Sequence, residues 1–172
     1  GYDILIDALA IMHSGSSAPK TRYRIAIAGA GGDESALRAR AKALDLDTID
    51  FIGFASDPAG FLAKLHLYVQ PSRREGFCIA AHEAMQAGLP AIVSRTGEMP
   101  FTVDAPSTGR VVEVADPHSL AKALGELLDA PQDLAAMGRE ARARVLDRFS
   151  QERFDARGAV IVGRLEELLS RR

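Results

Sequence analysis

Short apolar segments that alternate with amphipathic helical segments constrain the fold of this chain more than any other feature. The segments YRIAIAG, IDFIGF, LHLYVQPS, LPAIVS and GRVVEVA have the composition of strands. Segments with helical spacing of apolar residues separate them, beginning with residues 3–12. Alternation of this kind is typical of βαβ units, and strands that are apolar throughout are buried on both faces. The pattern predicts an α/β fold with a doubly wound, Rossmann-like parallel sheet and helices on both faces.

Local signals mark several helix ends and one loop. Aspartate or serine before a helical segment predicts an N-cap, proline after the cap suits the first helical position, and glycine suits the position after a helix. The segment SGSSAPK has the composition of a loop. The predicted caps are Asp33, Asp57 before Pro58, Asp116 before Pro117, and Ser150, and Gly88 follows the helix predicted over residues 76–87.

The two ends of the chain differ from the middle. From about Leu120 the pattern is helical only, so residues 1–148 are assigned to the Rossmann-like domain and residues 149–172 to a C-terminal helix of the same domain. That helix has an apolar stripe that could pack on this domain or reach a neighbour; its members are Phe154, Ile161, Leu165, Leu168 and Leu169. The chain begins in a helix, where a doubly wound sheet has its first strand, so we expect a longer parent protein.

Composition excludes several classes of function. The net charge is −2 and the pI about 6.1, which gives no basic footprint for nucleic acid. Cys78 is the single cysteine, which suits a reducing compartment, and no apolar run reaches the ~18–20 residues that cross a bilayer. No spacing of His, Cys, Asp or Glu resembles a zinc site. We therefore expect a cytoplasmic protein without a zinc site.

The glycine turn AGAGGDE gives only a partial dinucleotide-binding pattern. Gly29 and Gly31 have the right spacing, but Glu34 stands where the fingerprint needs a third glycine. At least one of these glycines has the simpler role of a tight turn. The amides of Gly29 and Gly31 could still line a ligand crevice, because open α/β sheets bind ligands at the carboxyl ends of their strands.

Two acidic residues eight positions apart, Glu75 and Glu83, frame the start of a predicted helix. Free backbone N–H groups of residues 76–79 would form a site for a phosphate, and Gly76 allows close approach of the ligand. Carboxylates beside an anion site could accept hydrogen bonds from sugar hydroxyls. From spacing alone the alternative stays open that Glu75 only stabilises the helix dipole and Glu83 is solvated.

The segment EGFCIAAHEAMQAGLPAIVS resembles the E-x7-E signature of the retaining GT-B glycosyltransferases of the group 1 family. The shared residues are Glu75, Gly76, Phe77, Glu83, Ala84, Met85, Gly88 and Pro90. GYDILIDAL, IAIAGAGGDE, IDFIGF, LYVQPS, DPHSLAKAL and RFS resemble other parts of the family in the same order. The resemblance covers nearly the whole chain and implies the C-terminal half of a GT-B fold.

The resemblance implies a domain that binds a nucleotide-diphosphate sugar, with no cofactor and no metal. Glu75 would be the catalytic residue, holding donor-sugar hydroxyls and stabilising charge without acting as a nucleophile. Glu83 would hold the ribose hydroxyls. The amides of Phe77, Cys78 and Ile79 would contact the sugar or diphosphate, and Gly53 and Phe54 would lie near the base. The acceptor, a lipid, glycan or polysaccharide precursor, would bind a preceding N-terminal domain, and membrane contact would be peripheral.

Three departures from the family pattern qualify this interpretation. Cys78 replaces the second glycine of the turn, so a side chain is expected to intrude there, and Glu98 and Phe101 replace a glycine and a glutamate. The family's phosphate-binding Arg and Lys precede the first helix, so Arg73, with its neighbour Arg74, could supply positive charge instead. We expect weak donor binding and no sugar transfer from this chain alone.

Two other functions are retained as alternatives. One is a non-catalytic module that binds sugar nucleotides, and the other is a dinucleotide-dependent dehydrogenase, which Glu34 disfavours. A nucleophilic role for Cys78 lacks a base evident in the sequence. His66 is predicted to be a packed strand residue and His118 a helix-surface residue. His82 is predicted to face away from Glu83.

Overall fold

The structure is a computed structural model that describes residues 1–14 and 19–170. Helices and strands alternate as far as the fifth strand, and the remainder is helical. The helices are α1 (Tyr2–Ser14), α2 (Glu34–Ala43), α3 (Pro58–Leu62), α4 (Ile79–Gln86), α5 (Met99–Thr102), α6 (Pro117–Asp129), α7 (Pro131–Phe149) and α8 (Gln151–Ser170). The strands are β1 (Ile25–Ala28), β2 (Ile49–Gly53), β3 (Tyr68–Gln70), β4 (Ala91–Ser94) and β5 (Gly109–Val112). The predicted loop SGSSAPK falls largely on residues 15–18, outside the described residues.

All five strands are parallel to their neighbours, which confirms the predicted α/β class. They form two groups: β1 pairs with β2, and β4 lies between β3 and β5. All four residues of β4 are buried, as expected for a strand covered on both faces. The predicted doubly wound fold would have one continuous sheet. Within the described residues, however, no backbone hydrogen-bond ladder joins β1 to β3.

Two clusters of buried side chains make up most of the core. Helix α1 packs on α6, and Ile6, Leu9, Leu120 and Leu124 of this cluster are almost fully buried. The second cluster joins α4 to β4 and α7 and includes Met85. Because each buried Leu, Ile or Met side chain contributes roughly 1.5–3 kcal/mol, these clusters hold the helices against the strands and fix the carboxyl edge of the sheet.

The predicted aspartate–proline helix starts are confirmed. The Asp57 carboxylate accepts a hydrogen bond from the Gly60 amide at 2.9 Å, and Asp116 accepts from the His118 and Ser119 amides at 2.9 and 3.1 Å. Asp33 precedes α2 as predicted, but its side chain makes no capping hydrogen bond. Its backbone is already helical, with φ −87° and ψ −2°, so the side chain does not reach back over the first amides.

Two further predictions were wrong at the level of single residues. The strand that was predicted to include His66 begins only at Tyr68, and His66 is exposed in a bend. The helix predicted over residues 76–87 begins at Ile79, because Cys78 has a left-handed backbone that cannot continue a helix. The prediction that Gly88 follows this helix holds, with φ +88°.

The C-terminal helix begins after Ser150, whose hydroxyl accepts a hydrogen bond from the Arg153 amide at 3.3 Å. Helix α8 has no buried residue among those described, and the predicted stripe is exposed along it. Of the two predicted arrangements for the stripe, packing on this domain is therefore not observed.

Candidate functional site

The candidate residues lie along one edge, where the parallel strands end and the following helices begin. The Gly29 amide donates a hydrogen bond to the Gly53 carbonyl at 2.8 Å, so the ends of β1 and β2 adjoin. The Tyr2 hydroxyl donates to the Ala28 carbonyl at 3.1 Å. The first turn of α1 therefore lies at the carboxyl end of β1, on the edge where open α/β sheets bind ligands.

The same turn of α1 also contacts the loop between β3 and α4. A Cβ atom added to Gly1 would lie closer than 3.0 Å to the Pro71 carbonyl oxygen. The Arg73 guanidinium forms two hydrogen bonds to the Asp3 carboxylate, at 2.9 and 2.6 Å. Because α1 contacts both, the glycine turns after β1 and β2 and the loop that carries Glu75 belong to one surface.

The turn before α4 presents unpaired backbone donors. The amides of residues 76–80 donate no hydrogen bond to any residue in the described ranges. Helix α4 begins within this stretch, at Ile79, and its dipole favours an anion at this end. Gly76 is exposed and has no atom within 4 Å of an added Cβ, so a ligand could approach its backbone closely. The turn therefore has the donors and the access that a phosphate group needs.

Glu75 is half-buried and oriented by two neighbours. Its Oε1 accepts hydrogen bonds from the Ser72 hydroxyl at 2.8 Å and from the Gln70 side-chain amide at 3.1 Å. The Tyr68 hydroxyl donates to the other end of the Gln70 amide. Both of these bonds end on Oε1 of Glu75. This network preorganises one carboxylate beside the turn.

Glu83 lies on the first turns of α4 and is exposed. It forms no ion pair with any residue that the structure describes. Burial raises the pKa of the Tyr68 hydroxyl, and the nearby Cys78, Tyr2, Glu75 and Glu83 raise it further.

Cys78 does not intrude into the crevice, contrary to the expectation from its position in the motif. Its side chain is 9% exposed and packs in the core cluster with Ala81 and Met85. The Cys78 backbone has φ +57°, a conformation that favours glycine. The glycine that the family has at this position is therefore explained by the backbone conformation, and not by a lack of space for a side chain. Burial and the neighbouring Glu75 raise the pKa of the thiol, which disfavours a thiolate nucleophile.

Arg73 is not free to meet an anion in this structure. Asp3 holds its guanidinium in the bidentate pair described above, and this pairing lowers the pKa of Asp3 to about 2. A carboxylate thus compensates the charge of Arg73 in this structure, and its predicted role at the crevice stays a prediction. Arg74 is exposed and has no ion-pair partner among the described residues.

The glycines of the first two turns differ in what their backbones require. Gly29 has φ +140° and Gly53 has φ +74°, conformations that favour glycine. Gly31 is exposed with no such φ, and nothing lies within 4 Å of an added Cβ, so it is not required for close packing. The Phe54 side chain is 81% exposed immediately after β2 and leaves a flat apolar face on the edge of the site.

Three contributors to this site were not predicted from the sequence. Gln70 and Ser72 orient Glu75, and the signal was present in two polar residues that end an apolar strand. Gly97, with φ +59°, lies against the Glu75–Gly76 backbone, and the neighbouring Glu98 amide donates to the Gly76 carbonyl at 2.9 Å. No local signal could indicate the contact of Gly97, because it joins two loops that are distant in sequence.

A surface cavity of about 480 Å³ lies elsewhere, between α2 and β2. Within residues 1–14 and 19–170, no group of three or more His, Cys, Asp or Glu side chains is arranged to hold a metal ion. Over the same residues, none of the helices combines the length and apolarity that a membrane span requires.

Comparison with known protein families identifies the family of this chain. The sequence model described as "Glycosyl transferases group 1" matches residues 1–144. The chain belongs to the group 1 glycosyl transferases. The match includes both glutamates of the turn and α4, so the signature read from the sequence lies in its expected structural context.

One curated relative of this group 1 glycosyltransferase chain is the Corynebacterium glutamicum enzyme named "GDP-mannose-dependent monoacylated alpha-(1-6)-phosphatidylinositol monomannoside mannosyltransferase". The two are 35% identical over 161 residues, which cover 88% of this chain and 41% of the relative. The chain therefore spans less than half the length of that relative.

Solved structures confirm the GT-B fold. The sucrose-phosphate synthase of Thermosynechococcus elongatus superposes with a TM-score of 0.77 at 26% identity, over 98% of this chain and 42% of that one. The Anabaena protein Alr3699/HepE, crystallised in complex with UDP, superposes with a TM-score of 0.76 at 23% identity, over 100% of this chain and 45% of that one. The second likeness shows the fold alone.

Proposed function

We propose that this chain is the donor-binding domain of a retaining glycosyltransferase that moves a sugar from a nucleotide-diphosphate sugar to an acceptor. One observation carries the proposal: an oriented carboxylate, Glu75, adjoins unpaired amides at the start of a helix that also carries Glu83. Anions bind at helix starts and carboxylates bind hydroxyls, so the three parts suit a diphosphate that links two sugars.

Each part of the donor has a proposed contact. The amides of Phe77, Cys78 and Ile79 receive the diphosphate or sugar, Glu75 holds the donor-sugar hydroxyls, and Glu83 holds the ribose hydroxyls. Glu75 acts by preorganised hydrogen bonding and charge stabilisation, and no covalent intermediate forms on it. Transfer proceeds with retention and without a bound metal.

The glycine turns complete the donor site in this proposal. The base lies near Gly53 and Phe54, whose ring is exposed, and Gly29 and Gly31 line the crevice between base and diphosphate. Arg73 contributes charge only if Asp3 releases it. The relative from Corynebacterium is named for GDP-mannose and the Anabaena structure contains UDP, so the shared nucleoside diphosphate is the part of the donor that we assign.

The acceptor binds, in this proposal, to a part of the enzyme that lies outside the residues of this chain. Because the chain spans less than half of its relative, we propose that a further strand and an acceptor-binding domain complete the enzyme. The relative is named for a phosphatidylinositol monomannoside, which supports a lipid-linked acceptor. This chain alone transfers no sugar.

Titration with UDP, GDP and their glucose and mannose conjugates tests the donor site. Glu83→Gln should weaken binding roughly tenfold or more, because it removes a charged hydrogen-bond acceptor. Glu140→Gln is the matched control, since Glu140 is an exposed helical glutamate that lies on α7. Equal affinity of Glu83→Gln and the parent protein, or binding of NAD instead, would contradict the proposal.

A non-catalytic sugar-nucleotide module is the second candidate, because Asp3 occupies Arg73 and the left-handed position 78 carries a cysteine. The complete protein distinguishes the two functions. If it binds donor but neither transfers nor hydrolyses the sugar with lipid and glycan acceptors, the catalytic proposal is wrong and the module remains.

A further inference from the structure

His82 lies inside the domain next to the exposed Glu83, and both of its ring nitrogens have partners. The side chain is 7% exposed. Its Nδ1 lies 2.9 Å from the Cys78 carbonyl oxygen, and its Nε2 lies 3.1 Å from the Thr102 hydroxyl. A carbonyl oxygen can only accept a hydrogen bond, so Nδ1 carries a proton and donates it to Cys78. The partner of Nε2 is the Thr102 hydroxyl, which also lies 3.3 Å from the Glu98 carbonyl oxygen. The ring is thereby fixed between α4 and α5.

The residue that His82 holds is the one with the unfavourable backbone. Cys78 has φ +57° and ψ +70°, a left-handed conformation that residues with a Cβ avoid. The Cys78 carbonyl also accepts hydrogen bonds from the Ala81 amide at 3.1 Å and from the His82 amide at 3.4 Å. These are the first backbone hydrogen bonds of the helix. The imidazole N–H therefore donates an additional hydrogen bond to this carbonyl. The turn keeps its shape only while the carbonyl stays in this position.

The anchor acts on the anion site through a planar peptide. The carbonyl of Cys78 and the N–H of Ile79 belong to one peptide unit, and in a trans peptide they point in opposite directions. The carbonyl is directed along α4 towards the Ala81 and His82 amides and the imidazole, so the Ile79 N–H points the opposite way, out of the start of the helix. Ile79 is among the residues whose amides lack an acceptor in the described part of the chain. Rotation of this peptide would turn a donor away from the proposed phosphate position.

Aromatic packing fixes the residue on the other side of Cys78. The Phe77 ring stacks on the His82 imidazole, with centroids 4.1 Å apart and an angle of 9°. Phe149, at the end of α7, packs edge-on against both rings, at 5.2 Å from Phe77 and 4.7 Å from His82. The imidazole therefore contacts the residue before Cys78 through its face and Cys78 itself through Nδ1.

We propose that His82 is a positioning residue for the donor diphosphate, holding the turn at residues 76–79 in the conformation that presents its amides. This role rests on the proposed function, since it assigns how the donor site is held. His82 itself touches no substrate.

The test separates the hydrogen bonds of His82 from its ring. His82→Phe keeps an aromatic ring against Phe77 and removes both hydrogen bonds, while His82→Asn places an amide donor near the position of Nδ1. In the complete protein, two readouts are measured: the affinity for UDP and GDP, and the rate at which an alkylating reagent labels Cys78, followed by peptide mass spectrometry. The Cys78 thiol is buried, so the reagent can reach it only when the turn opens. The labelling rate therefore measures opening of the turn even in a protein that binds no nucleotide.

We expect His82→Phe to weaken nucleotide binding and to accelerate labelling of Cys78, each roughly five- to tenfold, the scale of one lost hydrogen bond. His82→Asn should recover at least half of each effect on a logarithmic scale. Cys78→Gly in the His82→Phe background should restore the affinity, because glycine adopts the left-handed backbone without an anchor. A purely structural role would not be relieved by that second change. Leu124→Ala in the distant core should reduce thermal stability and leave nucleotide affinity unchanged.

Each result decides between the two proposals. If the parent protein binds neither UDP nor GDP, the proposed function fails, and the labelling rates still report whether His82 holds the turn. If the parent binds and His82→Phe binds equally well, the positioning role is overturned. Faster labelling of His82→Phe without loss of affinity also overturns it, because the turn would then not need to be held. Equal losses of affinity in Leu124→Ala and His82→Phe overturn it as a stability effect.

Discussion

Gly97 lies directly against the backbone of Glu75. A Cβ atom at Gly97 would come closer than 3.0 Å to the carbonyl oxygens of Glu75 and Gly76, and the Gly97 backbone has φ +59°. The loop after β4 thus supports the loop after β3, and the two carry the proposed sugar and diphosphate contacts. The donor site depends on this contact between two loops as much as on the glutamates.

Gly97→Ala should therefore damage both stability and donor binding. The left-handed backbone alone costs about 1–2 kcal/mol for a residue with a Cβ, and the methyl group would displace the Glu75–Gly76 backbone. We expect the free energy of unfolding to fall by about 2 kcal/mol and the affinity for a nucleotide sugar to fall with it. Denaturant titration and calorimetric binding measure the two effects.

The matched control is Gly125→Ala, because Gly125 lies in α6 with nothing within 4 Å of an added Cβ. That change should stabilise the protein by up to about 1 kcal/mol, through helix propensity, and leave binding unaltered. Normal donor affinity in Gly97→Ala would mean that the loop after β4 does not support the site.

Gln70→Leu should separate binding of the sugar from binding of the nucleotide. The Gln70 side chain accepts a hydrogen bond from the Tyr68 hydroxyl and donates one to Glu75. Without it, only the hydrogen bond from Ser72 holds the Glu75 carboxylate, which becomes more mobile. We expect affinity for a nucleotide-diphosphate sugar to fall about fivefold, the scale of one hydrogen bond, while affinity for the nucleoside diphosphate stays within about twofold.

Gln132→Leu, at an exposed position of α7, is the control for the change of residue type. Parallel calorimetric titrations with UDP and UDP-glucose, and with GDP and GDP-mannose, give the comparison. Equal losses for nucleotide and nucleotide sugar would remove Glu75 from the sugar subsite.

Cys78→Gly alone should leave donor affinity nearly unchanged. The thiol packs in the core and does not crowd the crevice, so its removal opens no room for the ligand. Relief of the left-handed backbone stabilises the protein by about 1–2 kcal/mol, and the loss of buried apolar area offsets about 1 kcal/mol of this. Thermal unfolding should thus change little. A marked gain in affinity would show that the thiol does crowd the diphosphate.

The ion pair between Asp3 and Arg73 should give the protein a stability dependence at acid pH. Asp3 has a lowered pKa of about 2 against an ordinary 3.8, so its contribution is complete above about pH 3.8 and is lost as the pH falls towards 2. Because Asp3 is 40% exposed and Arg73 is 52% exposed, solvent screening limits the contribution to less than about 1 kcal/mol.

A double-mutant cycle with Asp3→Asn and Arg73→Gln at low salt measures this contribution. The coupling between the two residues should be present at pH 7, diminish below pH 4 and weaken in 1 M salt. Coupling that persists unchanged at pH 2 would mean that Asp3 is not the titrating partner.

Signals carried by neighbouring residues were reliable. Asp57 and Asp116 cap their helices because the capping bonds reach only two or three residues along the chain. The glutamate signature and the glycine at position 88 are local in the same sense, and together with the alternation of strands and helices they indicated the fold, the family and the helix that carries Glu83. Asp33 failed as a cap because residue type does not fix the backbone angles of the cap position.

The sequence alone thus determined the alternation of strands and helices and their parallel arrangement. Only the tertiary structure decided that Arg73 is held by Asp3 across 70 residues, that the Cys78 thiol points inward, and that His82 reaches Thr102. The physical reason is the range of the interactions. Periodicity and capping depend on residues a few positions apart, whereas the partner of a charge or a buried ring depends on which distant segments the packed core brings together.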